Sequence, residues 1–247
     1  SGEVGYSKFM LETPDNTEYE SIINPIFSIG EVTHSGKVNL GLIMSAYRKQ
    51  LENNNQILSE QFDFQQLTLN NDQVNYKNIT AKHIIFCDGN NSMENAYFKS
   101  LPFAPNKGEA LLVNIKDLDD GFIYKKAVSI VPWKDSIFWV GSNYEWDNYN
   151  DDPSLSFKEK TIAALNEWLT IPYEVIDHIA AIRPANIQRR PFVGMHPNYK
   201  NIGIFNGMGT KGCSLAPYFA EQLTSHILQQ TTLDNEASID RFNILAT

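Results

Sequence analysis

The stretch Ile202-Gly203-Ile204-Phe205-Asn206-Gly207-Met208-Gly209-Thr210-Lys211-Gly212 joins a short apolar run to a glycine-rich turn. The run reads as a buried strand, and residues from about Ser214 to Gln229 read as the helix that the turn feeds. Residues 207–212 literally match the spacing G-x-G-x-x-G. A dinucleotide-binding unit, however, needs a further strand with an acidic residue roughly 20 residues on. The tail after the helix is mostly polar and holds no such strand. What survives is narrower. Glycines at a helix N-terminus expose N–H groups and a positive dipole end, and they let the backbone approach a flat, partly negative ligand. A tight strand-to-helix turn with no ligand is the alternative.

Working back from this turn, Tyr173 to Ile182 reads as a strand that ends in Arg183-Pro184. The sequence Ser156-Phe157-Lys158-Glu159 has the form of a capping box, and its helix carries Ile162, Leu165 and Leu169 on one stripe. Strands are expected at Gly108–Ile115, Phe122–Val131 and Ser136–Ser142, all rich in β-branched and aromatic residues. Ala81 to Cys87 contains the apolar run Ile84-Ile85-Phe86 closed by Asp88-Gly89, as in a central strand covered on both faces. Leu67/Leu69 and Val74/Tyr76 form a hairpin pattern around Asn70-Asn71-Asp72. Val38 to Asn53 has helical periodicity, with Ile43, Ala46, Tyr47 and Leu51 on one side. Residues 1–34 are mixed, with Pro14 and Pro25 interrupting any long helix, and the acidic loop Asp147–Asp152 reads as solvated.

Composition narrows the function. A formal charge of −9 repels phosphate backbones, which argues against nucleic acid as a partner. No apolar run approaches the ~20 residues of a membrane span. Cys87 and Cys213 read as reduced, buried thiols rather than a disulfide, which points to a cytoplasmic setting. The five histidines never fall at a metal-ligand spacing, so no metal is expected.

Several segments together resemble the D-amino-acid oxidase/glycine oxidase superfamily of FAD-dependent oxidoreductases. They are Ala81–Gly89, Lys107-Gly108-Glu109, Val140–Glu145, Ile182-Arg183-Pro184 with Arg190-Pro191-Phe192-Val193-Gly194, and Gly207–Gly212 followed by Leu215-Ala216-Pro217. They occur in the family's order from about residue 30 to the end. The family's N-terminal βαβ unit, with its own G-x-G-x-x-G, is not among them. The resemblance therefore implies a C-terminal portion of a longer flavoprotein, with roughly a hundred residues upstream, that binds FAD weakly or not at all by itself.

The resemblance implies an α+β fold: a mostly antiparallel substrate-domain sheet interwoven with the remnant of an FAD-binding α/β domain. Residues 1–34 and 93–183 would form the substrate domain, and residues 35–92 and 184–247 the partial FAD-binding domain. FAD would lie against Gly89, Gly207, Gly209, Thr210, Lys211 and Gly212. Phe62, Asp63 and Phe64 resemble the segment that meets the adenine. Arg183 would fork onto a substrate carboxylate, with Tyr124 and Tyr144 lining the pocket. Each has a plainer alternative: a structural ion pair for Arg183, a solvated lysine for Lys211, core packing for the tyrosines. The implied activity is oxidation of an amine or amino acid by hydride transfer to flavin, with no obligatory side-chain base. The substrate would be a small amine or amino acid, and the stripped remnant could form homo-oligomers. A catalytically silent ligand-binding or assembly module reusing the fold is the alternative.

Overall fold

The computed structural model describes residues 9–11, 17, 19–24, 29–70, 72–146 and 149–242. Pro14, Pro25, Asn71 and Asp147, on which parts of the sequence reading rest, lie outside them. In chain order the first elements are β1 (Met10–Leu11), β2 (Glu31–Val32), α1 (Leu40–Asn53), β3 (Leu67–Asn70), β4 (Gln73–Tyr76), β5 (Ile79–Ala81) and β6 (Ile84–Phe86). Then come β7 (Asn106–Asn114), β8 (Tyr124–Lys125), β9 (Ser129–Lys134), β10 (Ile137–Gly141), β11 (Glu145–Trp146) and α2 (Leu155–Trp168). The last are β12 (Glu174–Arg183), β13 (Phe192–Met195), β14 (Ile202–Asn206) and α3 (Gly212–Gln229). The fold is α+β with mainly antiparallel pairing, and two compact units divide it. The first runs to Lys37 and resumes over Lys107–Ile182; the second holds Val38–Asn106 and the chain from Arg183 on.

In the first unit, β7, β8, β9, β10, β11 and β12 form one sheet, ordered β11-β7-β10-β9-β8 with β12 also paired to β7. Leu111, Val113, Ile130, Phe138 and Val140 of this sheet cluster with Phe157, Leu165 and Trp168 of α2. Each such burial contributes roughly 1.5–3 kcal/mol, which outweighs modest helix propensity. Pro132 sits inside β9 opposite Phe138. It is tolerated there because β8 pairs only as far as Ile130, so the strand beyond needs no donor on that side. The cap of α2 is Ser154, whose Oγ accepts from Phe157 N at 3.3 Å; the capping box expected at Ser156 is not used.

In the second unit, β13, β14 and β6 form a three-stranded sheet, antiparallel between β13 and β14 and parallel between β14 and β6. Phe86, Phe98, Leu101, Phe192, Ile202 and Ile204 build its core. Phe98 and Leu101 therefore pack with the second unit, although the sequence boundary had placed residues after 92 with the other domain. Ala81 belongs to β5, and β6 is shorter than the strand expected over 81–87. It ends the sheet order rather than lying at its centre, and Ile84 and Ile85 are half-buried. Cys87 and Cys213 are exposed free thiols, not core residues, because one follows the end of β6 and the other sits on the outer first turn of α3.

Helix α1 matches the expected span, but its apolar stripe is bare: Ile43 is 53% and Tyr47 56% exposed, and no residue of the helix is buried. Asn39 caps it through Leu42 N, and Arg48 pairs with Glu52 at 2.9 Å. Exposed pairs of this kind add only about 0.3–0.5 kcal/mol, and isolated helices of such length are marginal. Amides of α1 in the 247-residue chain are accordingly expected to exchange with deuterium at least ~100-fold faster than those of α2. Equal protection of the two helices in an exchange experiment would contradict this.

Candidate functional site

The parallel strands β6 and β14 run in register, with Ile84 opposite Ile202 and Phe86 opposite Ile204. Their carboxyl ends therefore emerge side by side, and open sheets that carry parallel strands bind ligands at that edge. Two loops leave from it, one beginning at Cys87 and one at Gly207. The Asn206 side chain fastens them together. Its Nδ2 donates to Gly89 O at 2.8 Å and to Ser92 Oγ at 2.7 Å, while its Oδ1 accepts from Gly207 N at 2.8 Å. Asp88 extends the network by accepting from Ser92 Oγ and, at 3.1 Å, from Asn95 Nδ2. Ser92 and Asn95 are fully buried, so this is a satisfied polar core that rigidifies the edge.

Two glycines define the surface of that edge. Gly89 has φ +60°, and a Cβ added there would meet nothing within 4 Å. Gly207 has φ +73°, and its Cβ would touch the Phe192 ring at 3.0 Å and Asn186 Nδ2 at 3.1 Å. The first leaves open space in front of the backbone; the second is demanded by packing behind it. Helix α3 then starts at Gly212, and no side chain caps its N-terminus. An 18-residue helix presents a positive dipole end there, equivalent to roughly half a charge. Thr210 and Lys211 are exposed in the turn before it.

Arg183 ends β12 and is half-buried. The N–H of Gly209 donates to Pro184 O at 3.1 Å, which places the residue after Arg183 against the glycine turn. Arg183 Nη1 donates to Asn106 Oδ1 at 2.8 Å. Thus Gly89, the turn 207–212 and the Arg183 strand end all adjoin one edge of the second unit. Phe62 and Phe64 sit in an aromatic cluster with Tyr76 and Phe86, and Asp63 caps the turn at Gln65.

Tyr124 and Tyr144 belong to the first unit. Tyr124 is half-buried against that unit's core, and its hydroxyl donates to Asp119 O at 3.1 Å. It also lines a cavity of about 750 Å³ with Phe122, Ile23 and Trp168. Tyr144 is 59% exposed.

The first unit also buries a polar cluster that the sequence reading did not find. Glu109 is 1% exposed and Lys107 3%. Glu109 accepts from Ser154 N at 2.6 Å and from Ser154 Oγ at 2.7 Å, with Lys107 Nζ at 3.6 Å. His178 Nε2 comes to 3.0 Å of Glu109 Oε2, its ring stacked on Phe157. Lys107 Nζ also donates to Asp152 O at 2.6 Å. Burial pushes the Glu109 carboxyl up, but the Ser154 donors, Lys107 and Asn143 outweigh it and hold the group below the usual carboxylate range. The cluster ties the α2 cap to β7, so its part is to hold the sheet and helix together. Of the residues missed, Asn206 and Asp88 had a signal, a polar side chain closing an apolar strand just before glycine. Glu109 stood out only as part of Lys107-Gly108-Glu109, with nothing to mark its burial, and Asn106 had no signal, since their partners lie far along the chain.

A family model described as FAD dependent oxidoreductase matches residues 12–226. The chain is 27% identical over 127 residues to glycine oxidase of Pseudomonas putida, which covers 50% of this chain and 35% of that protein. It is 27% identical over 146 residues to glycine oxidase of Bacillus subtilis, covering 56% of this chain and 39% of the relative. The matches thus span well under two thirds of these relatives. The crystal structure of glycine oxidase from Bacillus cereus superposes with a TM-score of 0.73 at 14% identity, covering 88% of this chain and 62% of that one.

Proposed function

Because this chain belongs to the family of FAD-dependent oxidoreductases, we propose that the full-length protein oxidises a small amino acid or amine at the carbon bearing nitrogen. The substrate amine would lose a hydride from that carbon to leave an iminium ion, and water would hydrolyse this to a carbonyl compound with release of ammonium or a smaller protonated amine. Bound FAD supplies the two-electron acceptor for that hydride. The relatives named glycine oxidase support an amino acid as the substrate class.

The residues at the carboxyl edge of β6 and β14 fit the ring system of such a cofactor. Open space in front of Gly89 admits a flat group against the backbone. The uncapped N-terminus of α3, with Lys211 beside it, would stabilise negative charge at a cofactor carbonyl. Gly89, Gly207, Gly209, Thr210, Lys211 and Gly212 would hold the cofactor, and Arg183 would hold the substrate carboxylate. The observation that supports this most is the bond from Gly209 N to Pro184 O, which keeps the cofactor turn beside the arginine's strand end. With the substrate fixed this way, the chain's own contribution is positioning and electrostatics.

The test is spectroscopic. Full-length protein is expected to purify yellow, and anaerobic glycine or another small amino acid or amine should bleach its visible absorbance. A flavin-loaded protein that none of a broad panel of amino acids and amines bleaches would sink the proposal and favour a silent binding module.

A further inference from the structure

We propose that Arg241 is a positioning residue for the glycine turn: it ties residues 188–191 to the turn at 238–242 and so sets Asn186 and Phe192, the two residues against which Gly207 is seated. The inference rests on the reading of residues 207–212 as part of the cofactor edge. Arg241 ends the short helical turn Ile239–Arg241, beyond residue 226 where the family match stops. Its guanidinium reaches four neutral oxygens. Nε donates to Gln188 Oε1 at 2.9 Å and Nη1 to Ser238 O at 2.6 Å. Nη2 donates to Pro191 O at 2.8 Å and, more weakly, to Arg190 O at 3.4 Å. Its Cζ lies 4.4 Å from the centre of the Phe242 ring and 5.5 Å from that of Phe192.

These contacts lead to the glycine turn in two steps. Arg190 O, held by Arg241, also accepts from Asn186 Nδ2, and Asn186 Oδ1 accepts from Arg190 N at 3.3 Å. Asn186 and Phe192 are fully buried, and they are the groups that a Cβ on Gly207 would meet. The loop between β12 and β13 has no helix and a single strand-like bridge, from Asn186 to Phe103, so its far end is fixed from outside. A planar guanidinium with five donors can serve acceptors on both segments at once, whereas an ammonium's three donors radiate from one atom. Holding the charge there is costly. Burial, and next the charge of Arg190, pulls the Arg241 pKa down to about 10. An aliphatic side chain would cover Phe192 and Phe242 without that cost, but Pro191 O and Ser238 O would lose this donor. A loop released at that end lets Asn186 move from behind Gly207, whose backbone at φ +73° then loses its wall.

The experiment compares Arg241→Ala, Arg241→Lys and Gln188→Ala with the parent. Deuterium exchange is followed in the 247-residue chain at the amides of Gly207, Gly209 and Lys211, which bond to Asn206 Oδ1, Pro184 O and Met208 O. In both Arg241 variants these amides are expected to exchange about tenfold faster or more, while those of Phe219 to Leu223 in α3 keep parental rates. Gln188 is exposed, so its variant folds, and it should move the same amides the same way by less. Methylguanidinium at millimolar concentration should restore protection in Arg241→Ala, and methylammonium should not. In full-length protein the flavin dissociation constant should rise about tenfold or more in both Arg241 variants, with the same pattern of rescue. Parental exchange at the turn, a lysine variant that behaves as the parent, or equal acceleration of every amide in the second unit overturns the inference and leaves the cofactor reading untouched. If the turn loosens and is rescued while flavin binds as tightly as before, the cofactor reading of the turn falls, and the inference with it.

Discussion

Glu109→Ala is expected to destabilise the first unit by about 3–5 kcal/mol, the range typical of breaking a buried ion pair by removing one partner. The carboxylate serves Ser154 N, Ser154 Oγ and Lys107 at once, and all sit where water does not replace it. Its loss leaves a buried ammonium without a countercharge and loosens the cap of α2 from β7. Glu109→Gln keeps the shape and some acceptors but loses the charge, and should fall between parent and alanine. Trp133, Trp139, Trp146 and Trp168 are the protein's four tryptophans, and all lie in the first unit. Their fluorescence in a urea titration therefore follows that unit alone. An alanine variant whose fluorescence transition shifts by less than about 1 kcal/mol would contradict the argument.

The same group predicts a pH dependence with a definite sign. The folded carboxyl is held below its ordinary value. A depressed acid contributes stability above its unfolded pKa of about 4.3 and loses it as pH falls through the folded value. The difference between parent and Glu109→Ala should thus be full at pH 6–7, roughly, and should shrink steadily below pH ~4.5. A difference that instead grew below pH ~4.5, where the carboxyl itself takes up its proton, would show that the carboxylate is not the stabilising species.

Gly207→Val is expected to have the second large effect, of roughly 3 kcal/mol on the second unit together with loss of bound flavin from full-length protein. Its φ of +73° is unfavourable for a β-branched residue, and its Cβ would press on Phe192 and on the fully buried Asn186. Gly89→Ala separates packing from ligand approach. Its φ of +60° costs only about 1–2 kcal/mol, and the new methyl meets no protein atom within 4 Å. Any larger effect must come from what lies in front of the backbone. Flavin affinity in Gly89→Ala is expected to fall at least about tenfold, beyond what the stability change explains. Retention of flavin at parental affinity would remove Gly89 from the cofactor surface.

Much of this architecture was legible because it is local. An apolar run closed by glycines gave β14 and the start of α3, and periodicity gave α1 to within two residues. Periodicity signals that a face is apolar, not that anything covers it, which is why the bare stripe of α1 could not be foreseen. A short apolar run likewise does not distinguish a sheet's centre from its end, as β6 illustrates. The serine that caps α2 was misplaced by two positions because several residues in 154–159 satisfy the same rule. The glycine turn was readable from spacing, whereas the Asn206 clamp and the Asn106–Arg183 contact join residues remote in sequence. Polar contacts of that kind leave no periodic trace.

The chain passes between the two units at 37/38, 106/107 and 182/183, so each is assembled from separated segments. During synthesis the first unit has all its strands once β12 has emerged. The second must wait for β14 to add beside β6, a partner made more than a hundred residues earlier. Until then Phe86, Phe98 and Leu101 lack Phe192, Ile202 and Ile204 to close over them. Nascent chains arrested between the two strands would display those rings to chaperones and proteases, and the ribosome's pace through residues 183–206 would govern how long that exposure lasts.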